Sequence, residues 1–351
     1  MPRIIQSEAR WKRGRTELYC GDSLNILPQL LADSIDLIAT DPPYFRVKGE
    51  DWDRQWDKPA AYLEWLDDVL AEFARVLKSN GSLYLFASPR MAARVEVTVG
   101  GQFEVLNRIQ WVKNEGWHKR QAKDELRAYF PVREEIIFAE HYHADSHAKG
   151  ESVYRAKCDE LRGFVFEPLR AYLDGERKRA GFTTTGRVDA EWQRMRGTKG
   201  CMAGHWFGVS QWELPTSDNY AWLQSLFNAS RNGTGPQYLR REYEDLRREY
   251  EDLRREYEDL RRPFSVSADV PYTDVWDFPT VQAYRGKHPC EKPAAMIEHI
   301  VKASSREGAT VLDAFAGSFV AADVCAKLGR RFVGIEKELG YFESAVKRLA
   351  S

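Results

Sequence analysis

Asp41-Pro42-Pro43-Tyr44 closes the apolar run Ile35–Thr40, after which the chain turns basic at Arg46 and Lys48. A carboxylate and a proline carbonyl at the C-terminal end of a sheet strand are two acceptors aimed into the crevice where α/β sheets bind ligands. Proline fixes φ and has no N–H, so the turn is stiff. An exocyclic amine carries two N–H donors; two acceptors orient it and leave its lone pair free to attack. Tyr44 can lie flat on a planar ring beside them. These four residue types in this order suit an amine nucleophile on a nucleobase-like ring.

A second constellation lies near the other end of the chain. In VLDAFAGSFVAADV, Val311–Val324, a strand ends at Asp313, a turn of small residues follows, and a helix begins. Backbone N–H groups at such a turn favour a carboxylate, and Asp313, Phe315, Gly317 and Ser318 are its marked positions. Glu336 ends the strand RRFVGIE about 20 residues further on, where an acid can accept both hydroxyls of a ribose. Asp22 follows the first strand in YCGDSL, and His288, Pro289, Lys292 and Pro293 stand in HPCEKP just ahead of the turn.

The elements that must position these residues are legible as an α/β alternation. TELYC (Thr16–Cys20), IDLIAT (Ile35–Thr40), SLYLFA (Ser82–Ala87), EVLNRIQWV and REEIIFAEH read as strands. SLNILPQLL reads as a helix, and AAYLEWLDDVLAEFARVLK as an amphipathic one closed by Asn80-Gly81. From about His141 to Asp269 no buried strand is evident, and the stretch is helical and polar. The alternation resumes with PAAMIEHIVKASS (helix), TVLDAFAG (strand and turn), FVAADVCAKLG (helix), RRFVGIEKE (strand) and YFESAVKRLA (helix). Such alternation predicts a mainly parallel sheet, in one domain split as 1–141 and 272–351 by a helical insert, 142–271. Within the insert REYEDLR occurs three times from Arg241 to Arg261. Tyr243, Tyr250 and Tyr257 alternate with Leu246, Leu253 and Leu260 as a heptad seam, predicting a helix over 239–262 that self-associates or packs on a partner helix.

Taken together these motifs resemble the β group of DNA amino-methyltransferases, in which the catalytic motif comes first, then an insert, then HPCEKP and the cofactor loop. The resemblance covers Thr16–His141 and Tyr272–Ser351. It implies a Rossmann-like methyltransferase sheet, S-adenosylmethionine as cofactor, and direct transfer of its methyl to N6 of an adenine flipped out of duplex DNA, without a metal. Asp41, Pro42, Pro43 and Tyr44 are then catalytic, the DPPY form being typical of adenine-N6 rather than cytosine-N4 enzymes. The same resemblance gives Asp22 to the cofactor's adenine, Glu336 to its ribose, and Asp313, Phe315, Gly317, Ser318 and the residues of HPCEKP to its methionine end. Phe319 stands where the family usually has glycine, and is expected to narrow the cofactor pocket or reshape the loop. The layout is similar to solitary bacterial and prophage methyltransferases. A DNA-binding regulator with a degenerate site and a cytosine-N4 enzyme are the alternatives.

Charge bears on the partner. With 52 Lys and Arg against 53 Asp and Glu, a nucleic-acid site has to be a local basic surface. Arg108–Arg133 supplies one, with seven basic residues against three acids and Trp111, Trp117, Tyr129 and Phe130 among them. Lys113, Trp117, His118, Lys119, Arg120 and Arg127 are its candidate DNA contacts, and Lys48 and Trp52 sit in a flap after the catalytic motif. Thr198–Phe227 resembles the helix-turn-helix of repressor-like domains, with helices near Thr183–Met195 and Gly200–Phe207 and contacts from His205, Ser210 and Gln211. The heptad seam and family habit point to a homodimer. Five scattered cysteines without CxxC argue against a disulfide framework or structural zinc. The absence of a long apolar run or signal-type N-terminus points to the cytoplasm rather than a membrane.

Overall fold

The computed structural model describes residues 9–47, 54–113, 127–129, 131–142, 154–209, 211–229, 237–266, 272–282, 284 and 287–350. The chain forms two compact units, Met1–Ala144 with Arg262–Ser351, and Asp145–Arg261. The first begins with β1 (Ala9–Arg13), β2 (Thr16–Cys20), α1 (Ser23–Ile26), β3 (Ile35–Thr40), α2 (Pro59–Val76), β4 (Leu77–Ala87), α3 (Ala92–Val99), β5 (Phe103–Val112) and β6 (Arg133–His141). The second holds α4 (Tyr154–Val165), α5 (Glu167–Arg179), α6 (Thr185–Arg196), α7 (Ala203–Phe207), α8 (Ser217–Asn228) and α9 (Tyr243–Leu260). The chain then returns with β7 (Val275–Trp276), α10 (Ala294–Ser304), β8 (Thr310–Asp313), α11 (Val320–Lys327), β9 (Arg331–Glu336) and α12 (Leu339–Ala350). Among the described residues no helix is long and apolar enough to cross a membrane.

One sheet runs β1-β2-β9-β8-β3-β4-β6-β5-β7. Its centre, β2-β9-β8-β3-β4, is parallel, while β1 and the β5/β6 hairpin join antiparallel. Strands from both ends of the chain interleave, with β8 pairing β3 on one side and β9 on the other. The registers Ile38↔Leu312, Asp313↔Gly334 and Cys20↔Glu336 bring the C-terminal ends of β3, β8, β9 and β2 to one edge. That is the edge where such sheets bind ligands. α2 explains itself: Pro59 opens it, and Tyr62, Leu66, Val69, Leu70, Phe73 and Val76 recur at three- and four-residue steps and are buried.

Four expectations change. Asn80-Gly81 does not close α2; that helix ends at Val76, runs straight into β4, and the pair lies inside an irregular β3/β4 register. Gly81 is there for close approach, since a Cβ would come 2.5 Å from Leu77 Cδ1. The heptad helix spans Tyr243–Leu260 rather than 239–262, because Leu239 has a left-handed φ of 54° and donates its N–H to Glu176. Its seam is used within its own unit: Leu246 and Tyr257 are buried, and the Tyr250 and Tyr257 rings lie 5.4 and 5.9 Å from Phe166. The Tyr257 hydroxyl donates to the Cys158 carbonyl of α4. The second helix of the helix-turn-helix reading is only Ala203–Phe207, with Ala203, Trp206 and Phe207 buried. Gly200, Gly204 and Gly208 leave it too weak to extend. The sheet unit resumes at Arg262, which is buried and ion-paired with Glu140 of β6, where the sequence reading carries the insert on to 271.

Candidate active site

A cleft opens at that edge of the sheet, and Asp22, Asp41, Pro42, Pro43, Tyr44, His288, Lys292, Asp313, Phe315, Gly317, Ser318 and Glu336 all line it. Elements hundreds of residues apart are fastened there. The Thr40 hydroxyl donates to Asp313 Oδ1 at 2.7 Å and accepts from the Ala314 N–H at 3.1 Å, tying the end of β3 to the end of β8. Ser23 donates to the Ala314 carbonyl, adding the start of α1. Trp65, Phe86 and Tyr341 also face the cleft; no motif marks them, since each is an apolar position of a helix or strand whose direction only the fold decides.

At one end of the cleft the charges are held by other charges. Lys292 donates to Asp41 Oδ2 and to the Cys290 carbonyl, and its Nζ lies 3.5 Å from Glu134 Oε2. Lys113 donates to the other oxygen of Glu134. The Tyr44 hydroxyl lies 3.4 Å from Glu134 Oε2, and the Lys292 ammonium sits 5.7 Å from the Tyr44 ring centre and 5.0 Å from that of Phe86. Asp41 Oδ1 is buried and has no hydrogen-bond partner among the described residues, so it is an acceptor free to take a donor in the cleft. Burial raises the Asp41 carboxyl above the usual range and Glu134 adds to this, while Lys292 pulls it back. Burial opposes the charge of Lys292, but Asp41 and Glu134 outweigh it and hold the lysine firmly protonated. Burial, Asp41 and Glu134 keep the Tyr44 phenol neutral.

At the other end carboxylates are held by backbone. Glu336 accepts from the N–H of Gly317 through one oxygen and from that of Glu338 through the other, each at 2.7 Å. Asp22 caps α1 at the Leu24 N–H and pairs with Lys337. Asp313 accepts from the Phe315 N–H, and burial lifts its carboxyl to about 7 against the pull of Thr40 and Phe315. Gly317 has φ +49°, and a Cβ there would come 3.0 Å from the His288 ring, so this glycine serves both conformation and space. The His288 imidazole is pushed down to about 4 by burial, then by Lys292, and is neutral.

Phe319 does not narrow this cleft. It adopts the left-handed conformation, φ 56° and ψ 30°, at the start of α11, and its fully buried ring points into the core. Gly334 of β9 makes the room, because a Cβ there would come 2.6 Å from Phe332 and 2.8 Å from Phe319. Two other candidates also stay out of the cleft: Pro289 is exposed, and Pro293 is the buried cap of α10. HPCEKP therefore delivers His288 and Lys292 to the cleft, where Lys292 is paired with Asp41.

Of the candidate DNA contacts, Lys48, Trp52, Trp117, His118, Lys119, Arg120 and Ser210 lie outside the described residues. Arg127 and Gln211 are exposed. Lys113 is paired with Glu134 and lies 4.6 Å from the Trp111 ring, so it is not a free phosphate contact. His205 bonds through Nδ1 to the Gln211 carbonyl on the five-residue α7. Trp111, from the basic aromatic run, is a core residue. Among the described residues no cluster of His, Cys, Asp or Glu could hold a metal ion.

Comparison with known proteins bears on this geometry. The model of the family described as DNA methylase matches residues 35–347. DNA adenine methyltransferase YhdJ of Escherichia coli (strain K12) is 27% identical over 332 residues, covering 94% of this chain and 81% of that protein. Type II methyltransferase M.HpaI of Haemophilus parainfluenzae is 24% identical over 343 residues, 95% of this chain and 74% of that one. Among solved structures, the PvuII DNA methyltransferase, cytosine-N4-specific, is similar with a TM-score of 0.52 at 12% identity, over 95% of this chain and 86% of that one. That last likeness is one of fold.

Proposed function

This chain belongs to the DNA methylase family, and we propose that it transfers a methyl group from S-adenosylmethionine to N6 of an adenine in double-stranded DNA. The observation that carries the reading is the orphan Oδ1 of Asp41, a buried acceptor at the mouth of the cleft beside the Pro42 carbonyl. The fold is shared with a cytosine-N4 enzyme and does not choose the base. Aspartate at the head of DPPY and the likeness to an adenine methyltransferase along 94% of the chain favour adenine.

The cleft suits the cofactor. Glu336 and Asp22 at one end are acceptors for ribose and adenine, and Phe315–Ser318 with His288 cradle the amino-acid end. The Cβ-intolerant Gly317 keeps that cradle open. S-adenosylmethionine would supply an electrophilic methyl and become a neutral thioether as its C–S bond breaks and the methyl joins the amine, whose surplus proton is then lost to solvent. This chain's residues do the rest. Adenine leaves the duplex stack, since N6 is otherwise paired. Asp41 Oδ1 and the Pro42 carbonyl accept hydrogen bonds from the two N6–H groups, aim the lone pair, and stabilise the positive charge that develops on nitrogen. Tyr44 and Phe86 supply flat apolar surface for the ring. The exposed Arg127 and the basic run around it contact phosphate, and the helical unit Asp145–Arg261 contributes to target recognition.

The test is nucleoside mass spectrometry of unmethylated duplex DNA after incubation with the chain and S-adenosylmethionine, beside Asp41→Ala. N6-methyladenine from the wild type alone supports the reading. N4-methylcytosine would move the assignment to the other base, and no methylated base would sink it.

A further inference from the structure

Glu134 belongs to none of the motifs above, yet it is the hub of the charged end of the cleft. It is the second residue of β6, and its side chain is 17% exposed. One oxygen takes Lys113; the other faces both the Lys292 ammonium at 3.5 Å and the Tyr44 hydroxyl at 3.4 Å. We propose that Glu134 is a positioning residue for methyl transfer, which acts through Lys292 and Tyr44 to set the orientation and the charge of Asp41. The inference rests on the reaction proposed above and extends it to a residue that touches neither amine nor cofactor.

Lys292 fastens Asp41 by Oδ2, which leaves Oδ1 as the oxygen presented to the cleft. A one-to-one pair with an ammonium would neutralise Asp41 and weaken that oxygen as an acceptor. Glu134 draws on the same ammonium, so Lys292 is divided between two carboxylates and neutralises Asp41 less completely where the amine becomes positive. Lys113 closes the row on the outer side, and Lys292 and then Lys113 keep Glu134 ionised against its burial. Among the described residues the charged and titratable groups around Asp41 are thus Lys292, Cys290 and His288 from the segment before α10, Glu134 from β6, Lys113 just after β5, Tyr44 from its own turn and Asp313 from β8.

Two substitutions pull this arrangement in opposite directions. Glu134→Gln keeps the shape and removes a negative neighbour, so Asp41 becomes more acidic. Lys292→Met removes the positive neighbour, so Asp41 becomes less acidic. Asp41 is read directly in the folded full chain by carbon NMR of carboxyl-labelled aspartate, assigned with Asp41→Asn, and single-turnover methylation of duplex DNA is followed across pH. In Glu134→Gln the acid limb moves down by about one pH unit, the maximal rate falls roughly 10- to 100-fold, and S-adenosylmethionine affinity by calorimetry stays within about twofold. In Lys292→Met the limb moves up. An Asp41 titration unmoved in both variants, a shift of the same sign in both, or a loss of cofactor affinity as large as the loss of rate would overturn the inference. If Asp41 titrates as expected but the wild type leaves no N6-methyladenine, the proposed reaction falls and the electrostatic role of Glu134 stands.

Discussion

The two ends of the cleft hold their carboxylates by different means. Asp41 is held by side chains, through Lys292, Glu134 and, behind them, Lys113. Glu336 and Asp22 are held chiefly by main-chain N–H groups of Gly317, Glu338 and Leu24, and Asp313 by the Thr40 hydroxyl and the Phe315 N–H. A carboxylate fixed by a charge network responds to the loss of any one member, because the remaining buried charges go unpaired. One fixed by backbone responds mainly to changes in its own acidity or in the glycine that shapes the loop. The first arrangement suits a group whose charge matters during reaction, the second a group that only has to bind.

Breaking the charged end gives the largest expected effect. Asp41→Asn retains the shape and removes the charge, and should lower the single-turnover rate by at least about 10³-fold. Binding of S-adenosylmethionine by calorimetry should be nearly unchanged. A parallel loss of affinity would mean that the two ends are not separate in function. On the acid side the wild-type rate should fall above the ordinary carboxylate range, because burial and Glu134 raise Asp41 and the carboxylate is lost as pH drops through that raised value.

Phe319 tests the loop itself. The left-handed backbone costs a non-glycine residue roughly 1–2 kcal/mol, while truncating a buried phenylalanine costs about 3–5 kcal/mol. Burial wins, so Phe319→Gly should destabilise the chain by about 2–3 kcal/mol in urea unfolding and leave cofactor affinity unchanged. A variant that is more stable than wild type, or that binds the cofactor much more tightly, would mean that the ring reaches the cleft after all.

Asp313 sharpens the contrast through pH. Its folded value is raised to about 7 by burial, so the native state holds a proton that the unfolded chain has lost between about pH 4 and 7. Stability therefore declines as pH rises through that window and the full penalty is present above it. Asp313→Asn can still accept from Thr40 and Phe315, and should gain on the wild type by at most about 1.4 kcal/mol per pH unit across the window. Thermal melts at pH 5 and 8 measure it, and an equal difference at both would place the proton elsewhere.

What could be read beforehand divides by range. The α/β alternation, the split by a helical stretch and the order of the motifs are local patterns, and each named strand forms. What failed needed knowledge of a partner. Asn80-Gly81 looks like a helix stop, but Gly81 lies in β4 because Leu77 crowds it. The heptad seam is real, and nothing in the repeat names Phe166 and α4 as what it packs on within its unit. Phe319 departs from a glycine position, and only the space above Gly334 shows where the ring goes. Lys292 is 251 residues from Asp41, and Glu134 stands in an unremarkable strand, so their meeting follows from the sheet order alone.

The smallest effect is expected at the backbone-held end. Glu336→Gln keeps one carbonyl oxygen for a main-chain N–H but sets an amide NH₂ against the other, either at Gly317 or at Glu338. It also exchanges a charged acceptor for a neutral one where ribose hydroxyls would bind. Loss of one charge-assisted bond of that kind is worth about 1.5–2 kcal/mol, or roughly 10- to 30-fold in cofactor affinity. The maximal rate at saturating cofactor should remain close to wild type, since Asp41, Lys292 and Glu134 are untouched. Calorimetry gives the first quantity and single-turnover methylation the second. A fall in the saturated rate as large as the fall in affinity would show that the loop held by Glu336 also places the reacting methyl, and the division of the cleft into a binding end and a reacting end would have to be given up.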